Sequence, residues 1–347
     1  MTTVAIAYVA LGDSYAAGVG GGPSHGACWR ADAGYPVLVG RRLGLPVAYN
    51  ACLGATIADV LAHQLDALGP QTSHVSITVG GNDIGFVPVL IAAAEPAWMS
   101  NSDTAIDAAL ITMRRSLPGR LDGLFAEVTR RAPGAQVVVS GYPALFMGED
   151  CSPFTFFSAH EMTRLNDAAD ELRSIIAAAT RRAGFGLARV ASSFVGHAVC
   201  SYAEWINGVS WPVEASFHPN ALGHKAYADL VLRAFGVAAG PGDLEPGPEA
   251  APGDLAEPAG RESEVIEGPC IPGSAPTFAL PDLLSARSLA GARSFGLDPA
   301  EVARLATVLH ENAEPGMRSA PAALAAAARL RELDRQAAAA RGVAGMA

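Results

Sequence analysis

Lysine is almost absent from this chain of 347 residues, and acidic side chains outnumber basic ones. Of the 24 basic residues only Lys225 is a lysine, and the 34 acidic residues leave a formal net charge of −10 at pH 7. No basic patch stands out along the sequence. Because proteins bind nucleic acid through clustered Lys and Arg, this charge argues against a nucleic-acid partner.

Long apolar runs are missing as well. No stretch of about 18 apolar residues occurs, so we expect no transmembrane helix. Residues 1–7 lack the basic segment that opens a signal peptide, and they lead straight into Gly12-Asp13-Ser14. We therefore expect a first strand there, and a cytoplasmic protein from the sequence as written.

Cysteine is scarce, and no CxxC pair occurs among the five. This absence disfavours zinc sites and thioredoxin-like redox sites, and we expect no metal. Four cysteines fall in the first 200 residues and could form two disulfides, whereas the missing export signal favours reduced, buried thiols. In chain order the five are Cys28, Cys52, Cys151, Cys200 and Cys270.

Short β-rich apolar runs alternate with amphipathic helical patterns through the first two thirds of the chain. A last helix is predicted after His218-Pro219-Asn220, with Asn220 as its N-cap. This alternation predicts an α/β fold in which a parallel sheet carries helices on both faces. The predicted strands are 5–11, 47–53, 75–79, 136–140 and 186–190, and the other predicted helices are 36–43, 57–68, 102–131 and 159–183.

Composition changes near residue 237 and divides the chain into three parts. Residues 1–237 are the predicted main domain. Residues 238–276 are rich in proline, glycine and acidic residues, which predicts a disordered, self-repelling linker. Residues 277–347 are predicted to be a helical tail that docks on the main domain, binds a partner or stays frayed. Within the tail, Asp298 and Glu301 predict a capping box at the start of a helix.

Four short segments supply candidate chemistry. Each of the first three follows a predicted strand, and the fourth precedes the last helix of the main domain. Because ligands bind outside the carboxyl ends of the strands in open parallel sheets, we expect the four segments to converge. They are Gly12-Asp13-Ser14-Tyr15, the stretch 50–56 around Gly54, Gly80-Gly81-Asn82-Asp83, and His218-Pro219-Asn220.

The residue types in these segments suit acyl transfer. Ser14 is a candidate nucleophile, and His218 is a candidate base because it titrates near neutrality and can take the serine proton. The negative charge that develops on a carbonyl oxygen needs fixed donors around it. The backbone N–H groups of Ser14 and Gly54 and the side-chain amide of Asn82 can form this oxyanion hole.

In order and composition, the four segments resemble the sequence blocks of the SGNH (GDSL) hydrolases, where Ser, Gly, Asn and His carry catalysis. The resemblance extends over roughly residues 5–236. It implies a three-layer α/β/α fold with a mostly parallel, flavodoxin-like central sheet. It also implies hydrolysis of carboxylic esters, of lipid or small-acyl type, through a Ser-His acyl-enzyme mechanism with no cofactor.

Finer features resemble the actinobacterial lipase, esterase and phospholipase subgroup, among them Cys28-Trp29 and Tyr35-Pro36. The disulfide pattern of that subgroup implies bridges Cys28–Cys52 and Cys151–Cys200. Such bridges suit a secreted enzyme, which this protein would be if the start of its gene were misplaced.

The chain departs from the family pattern just before His218 in the sequence. Many members place an Asp three residues before it, where this chain has Ala215, with Glu214 one residue further back. We expect the backbone carbonyl of Ala215 to orient His218, and Glu214 is the second choice. His224 is expected on the last helix as a surface or capping group, and Asp13 is expected to secure the serine loop.

Two other functions stay open at the level of sequence. The same fold could deacylate a carbohydrate or a natural-product ester, which activity confined to acetylated sugars would favour. Alternatively, the chain could be a non-catalytic binding protein that docks a partner through its tail. Labelling of Ser14 by a phosphonate would exclude that second alternative.

Overall fold

The computed structural model of this chain describes residues 7–237, 264–312 and 320–344. Its strands are β1 (Tyr8–Gly12), β2 (Ser24–His25), β3 (Arg30–Ala31), β4 (Val47–Tyr49), β5 (His74–Thr78), β6 (Gln136–Ser140), β7 (Gly186–Ala188) and β8 (Val265–Glu267). Six of them form one sheet in the order β7-β6-β5-β1-β4-β8, with every pairing parallel. The other two, β2 and β3, pair as a short antiparallel ribbon.

Helices cover both faces of this sheet. They are α1 (Ser14–Ala17), α2 (Tyr35–Leu43), α3 (Ile57–His63), α4 (Phe86–Ala94), α5 (Ser102–Arg131), α6 (Ala159–Ala183), α7 (Val190–Ser193), α8 (Ala221–Ala234), α9 (Ala286–Ser294), α10 (Pro299–Glu311) and α11 (Pro321–Ala344). On one side α2 packs against α8, and on the other α5 packs against α3, α4 and α6. The predicted fold class, a three-layer α/β/α arrangement with a parallel central sheet, is confirmed.

The order of the strands reverses beside β1. The chain passes from β1 outward to β4 and then returns to place β5 on the other side of β1. In such sheets ligands bind at this reversal, beyond the carboxyl ends of the strands. Ser14 follows β1 and Asn82 follows β5, so both segments leave the sheet at this point.

Most predicted elements are found, and several have the predicted bounds. The strand at 136–140 is β6, and the helices at 102–131 and 159–183 are α5 and α6. Asn220 caps α8, and its side chain accepts a hydrogen bond from the N–H of Gly223 at 3.0 Å. The helix α4 was not predicted, because its sequence FVPVLIAAA is apolar throughout and shows no helical period.

The prediction of a disordered linker through residue 276 is wrong for its last part. Residues 264–276 are ordered, and β8 extends the sheet by pairing with β4, with Val265 opposite Val47. Composition pointed to disorder, but the open edge of β4 supplies backbone partners that composition cannot reveal. Residues 238–263, the rest of the predicted linker, lie outside the described residues.

The helical tail docks on the main domain. Helices α9, α10 and α11 share an apolar cluster with Trp98 and Phe156, which belong to the main domain. Of the three alternatives for the tail, the described residues therefore support docking. Asp298 is the N-cap of α10 as predicted, but Glu301 accepts from Arg329 of α11 at 2.8 Å instead of completing a capping box.

Within the described ranges, none of the helices combines the length and the apolar character needed to cross a membrane.

Candidate active site

The turn after β1 holds Ser14 at the carboxyl edge of the sheet. Gly12 has φ +133°, and a Cβ there would lie 2.0 Å from the carbonyl oxygen of Thr78 on β5, so only glycine fits. The N–H of Asp13 donates to the same Thr78 carbonyl at 2.9 Å. Ser14 then opens the four-residue helix α1 with its side chain almost fully buried. The position of Ser14 is thus fixed by the end of β1 and by the contact of this turn with β5.

Asp13 secures this turn, as predicted. One carboxylate oxygen accepts from the N–H of Tyr15 at 3.0 Å, and the other accepts from the hydroxyl of Tyr142 at 2.5 Å. The Tyr142 hydroxyl in turn accepts from the N–H of Gly81, at the turn after β5, at 3.1 Å. Burial raises the pKa of Asp13 to about 7 against these stabilising bonds.

Ser14 and His218 form a hydrogen bond although they are 204 residues apart. The Oγ of Ser14 lies 2.7 Å from Nε2 of His218, and Nδ1 of His218 lies 2.9 Å from the carbonyl oxygen of Ser216. A carbonyl can only accept, so Nδ1 carries the proton. In that tautomer Nε2 is free to accept the serine proton, which is the arrangement a general base needs.

The prediction that the Ala215 carbonyl orients His218 is wrong. Phe217 has φ +60°, and the backbone turns there so that the carbonyl two residues before the histidine faces its ring. The Ala215 carbonyl accepts instead from the side-chain amide of Asn207 at 3.2 Å. Glu214 borders the site, but no described hydrogen bond joins its side chain to the His218 ring.

The electrostatics of His218 favour its neutral form. Its ring packs beside that of Tyr15, with the centroids 5.3 Å apart. Burial lowers the pKa of His218 to about 4, against the opposing effect of the Ser216 carbonyl. The histidine is therefore unprotonated at neutral pH and able to act as a base.

The predicted oxyanion donors border the same cavity as the Ser14–His218 pair. Gly54 has φ +74°, a conformation that favours glycine. The Asn82 amide donates to the carbonyl of Ala55 at 3.0 Å, which fixes its orientation beside Gly54. Because an amide carries two N–H groups, Asn82 has a second donor to offer.

The cavity itself is small and apolar. Its volume is about 70 Å³, roughly half of the about 150 Å³ known to hold a benzene molecule. Ser14 and His218 lie in its wall together with a set of apolar side chains. These include Leu53, Phe86, Val87, Leu90, Leu145 and Leu172.

Sequence reasoning missed several supports of the site. Tyr15 donates from its hydroxyl to the Phe217 carbonyl at 2.9 Å, which links the serine turn to the histidine loop. Tyr142 could have been found, because it follows β6 at a strand end as the other site residues do. Gln64 bonds both backbone groups of Gly12, at 2.7 and 2.9 Å, and carried no sequence signal.

His224 does not have the surface position that was predicted. It is fully buried, and its Nε2 lies 3.1 Å from the carbonyl oxygen of Val19. Its place on the inward face of α8, near the turn after α1, explains the burial. Burial lowers the pKa of His224 to about 4. His224 is therefore a neutral group that contacts the backbone just after α1.

Both disulfides implied by the resemblance are present, Cys28–Cys52 and Cys151–Cys200. Cys270 is a free, exposed thiol beside the first bridge. Two described clusters bring three potential metal ligands within 4.8 Å of one another, one of them around each bridge. In each, two of the three ligand atoms are disulfide sulfurs and offer no thiolate to a metal.

A doubly wound sheet with a Ser–His pair at its reversal and amide donors beside it defines a serine hydrolase. The comparison with known families agrees. Residues 10–226 match the GDSL-like Lipase/Acylhydrolase family, and the chain belongs to that family. It is a carboxylic ester hydrolase.

Several of the similar proteins and solved structures come from Streptomyces. The chain is 39% identical over 233 residues to a lipase of Streptomyces rimosus, covering 65% of this chain and 85% of that protein. A crystal structure of an extracellular lipase from the same species has a TM-score of 0.61 at 36% identity, over 65% of this chain and 98% of that one. Phospholipase A1 of Streptomyces albidoflavus NA297 has the same TM-score at 34% identity, over 66% of this chain and 99% of that one.

Proposed function

We propose that Ser14 and His218 carry out ester hydrolysis in this protein. His218 Nε2 takes the proton of the Ser14 hydroxyl while Oγ attacks the ester carbonyl. The histidine then gives that proton to the departing alkoxide. The acyl group of the ester remains bound to the Oγ of Ser14. A water molecule, which gives a proton to the same nitrogen, attacks the acyl carbonyl. The acyl group leaves as a carboxylic acid, and His218 returns the proton to the Oγ of Ser14.

The oxyanion hole consists of the backbone N–H groups of Ser14 and Gly54 and the Asn82 amide. Each fixed donor of this kind contributes roughly 3 to 4 kcal/mol to the stability of the transition state. The cavity that all three border supports this assignment. Ser216 has a positioning role, because its carbonyl holds the histidine in the tautomer that can accept the proton.

The substrate class that the site supports is an ester with a short acyl chain. The wall of the cavity is apolar and its volume is about 70 Å³, which suits a few carbon atoms better than a long fatty chain. Relatives named lipase and phospholipase A1 support esters of lipid type as the broader class. The two disulfides, and the extracellular lipase among the relatives, support action in an oxidising compartment outside the cell.

One observation carries this proposal, the 2.7 Å contact between Ser14 Oγ and His218 Nε2. A fluorophosphonate probe tests it, because such probes react much faster with an activated serine hydroxyl than with an ordinary one. We expect the label on the peptide that contains Ser14, found by mass spectrometry, and no label in His218→Ala. An unlabelled Ser14, or equal labelling in His218→Ala, would contradict the assignment. A panel of acetylated sugars in the same study would detect carbohydrate deacylation.

A further inference from the structure

A segment far along the chain forms part of the site. Residues 264–278, named the roof segment below, begin with β8 at the edge of the sheet and end in the wall of the cavity. Pro276, Thr277 and Phe278 border the cavity together with Ser14 and His218. The roof segment therefore contributes to the wall of the active site, whose other residues belong to the main domain.

Partly buried hydrogen bonds fix the first half of the roof segment. Arg30, only 1% exposed, donates to the carbonyls of Gly268 and Pro269 at 2.9 and 3.1 Å. The sulfur of Cys270 accepts from the N–H of Cys28 at 2.8 Å. These bonds anchor the roof segment against the first disulfide.

The second half lies against the backbone of the turn that follows β4 and holds Gly54. The N–H of Gly273 donates to the Leu53 carbonyl at 3.1 Å, and the N–H of Ala275 donates to the Gly54 carbonyl at 3.0 Å. A Cβ on Gly273 would lie 2.0 Å from the carbonyl carbon of Gly54, so the two backbones are in direct contact. This contact sets the position of the residues that follow.

Phe278 is the large side chain that the roof segment adds to the cavity. It is 5% exposed, and its ring meets that of Phe217 edge to face with the centroids 4.9 Å apart. Phe217 is the neighbour of His218 and is itself buried. Phe278 is thus held against the histidine loop and faces the apolar interior of the cavity.

The roof segment lies outside the part of the chain shared with the family. The family match ends at residue 226. The extracellular lipase of Streptomyces rimosus is covered to 98%, yet that match uses only 65% of this chain. A wall formed by Phe278 is therefore an addition carried by this chain beyond the matched region.

We infer that Phe278 is a specificity-determining residue, whose ring limits the length of the acyl chain that the site accepts. The inference rests on the proposed function, since it takes Ser14 as the residue that receives the acyl group. A cavity of about 70 Å³ that is bordered by an aromatic ring has room for a short acyl chain and not for a longer one. A smaller side chain at 278 opens the cavity, and a larger one closes it further.

A series of variants at this position tests the inference: Phe278→Ala, Phe278→Leu and Phe278→Trp in the full chain. The measurement is kcat/KM for p-nitrophenyl butyrate and p-nitrophenyl decanoate, which share one leaving group. In Phe278→Ala we expect the decanoate-to-butyrate ratio to rise by about tenfold or more, since one misfitted methylene in an apolar pocket already changes rates by about that factor. Phe278→Leu should be intermediate, and Phe278→Trp should lower the ratio.

Phe295→Ala is the matched control, because Phe295 packs among the tail helices and does not border the cavity. Its ratio should equal that of the wild type. A ratio unchanged across the Phe278 series, or shifted equally by Phe295→Ala, would overturn the inference. Ser14→Ala is measured in parallel: full activity in that variant would refute the proposed function itself, whereas an inactive Ser14→Ala with an unchanged ratio would refute only the role of Phe278.

Discussion

At the scale of single residues, the site depends on one histidine kept neutral inside the protein. His218 meets Ser14 with one nitrogen and the Ser216 carbonyl with the other. A carboxylate at the second position would favour the charged imidazolium, whereas a carbonyl fixes the tautomer without adding charge. Burial then lowers the pKa of His218 to about 4.

The pH dependence of activity follows from this lowered pKa. Only unprotonated His218 can take the serine proton, so kcat/KM should rise with pH through the pKa and level off above it. We expect the acid limb for p-nitrophenyl butyrate, in stopped assays, to lie nearer pH 4 than the ordinary histidine value of about 6.5. Asp13→Asn tests the neighbouring carboxyl and should leave the limb in place. A limb centred at pH 6.5 or above that persists in Asp13→Asn, and so does not come from the carboxyl of Asp13, would contradict the account.

At the scale of elements, the part of the site that the sequence predicts correctly is the part that lies at the ends of strands. Ser14, Gly54 and Asn82 each follow a strand of a parallel sheet, so their convergence was foreseeable. The partner of His218 was not, because it depends on the left-handed backbone at Phe217, where no glycine marks the turn. The same limit applies to Gln64, whose contact with Gly12 joins the serine turn to the end of a helix.

Arg30 joins two elements that are distant in sequence, and its replacement measures that link. It lies in β3 and donates to the carbonyls of Ala51, Gly268 and Pro269 from a buried position. A lysine has a single ammonium and cannot reach all three. We expect Arg30→Lys to lower the free energy of unfolding by about 3 kcal/mol in urea denaturation.

The exposed Arg293 offers the matched control for this substitution. Arg293→Lys should change the free energy of unfolding by less than about 0.5 kcal/mol. Equal effects of the two substitutions would show that Arg30 is not an anchor of the roof segment.

At the scale of the whole molecule, the chain consists of the family domain and a C-terminal extension that packs back against this domain. The fold class was predictable, because most of the strands and helices around the sheet carry a local pattern of their own. The course of residues 264–278 was not predictable, because β8 pairs with β4 more than two hundred residues earlier and its composition is that of a linker. Long-range pairing leaves no local signal in a single sequence.

The two disulfides act at this same scale by restricting the unfolded chain. The Cys151–Cys200 bridge spans 49 residues, which predicts a stabilisation of about 4 kcal/mol from loop entropy. We therefore expect Cys151→Ala with Cys200→Ala to lower the free energy of unfolding by up to that amount. Thiol titration of the unfolded, unreduced wild type should find one thiol, that of Cys270. Five thiols would mean that neither bridge forms in the isolated protein.

The most direct test of the account is the hydrolysis of p-nitrophenyl butyrate by purified Ser14→Ala, with Ser24→Ala as the matched control. Ser24 lies in β2 and does not border the cavity. We expect kcat to fall by about 10³-fold or more in Ser14→Ala, because this substitution removes the hydroxyl that attacks the ester and from which His218 takes the proton. Ser24→Ala should retain the activity of the wild type. A folded Ser14→Ala that hydrolyses the ester at the wild-type rate would contradict the assignment of Ser14.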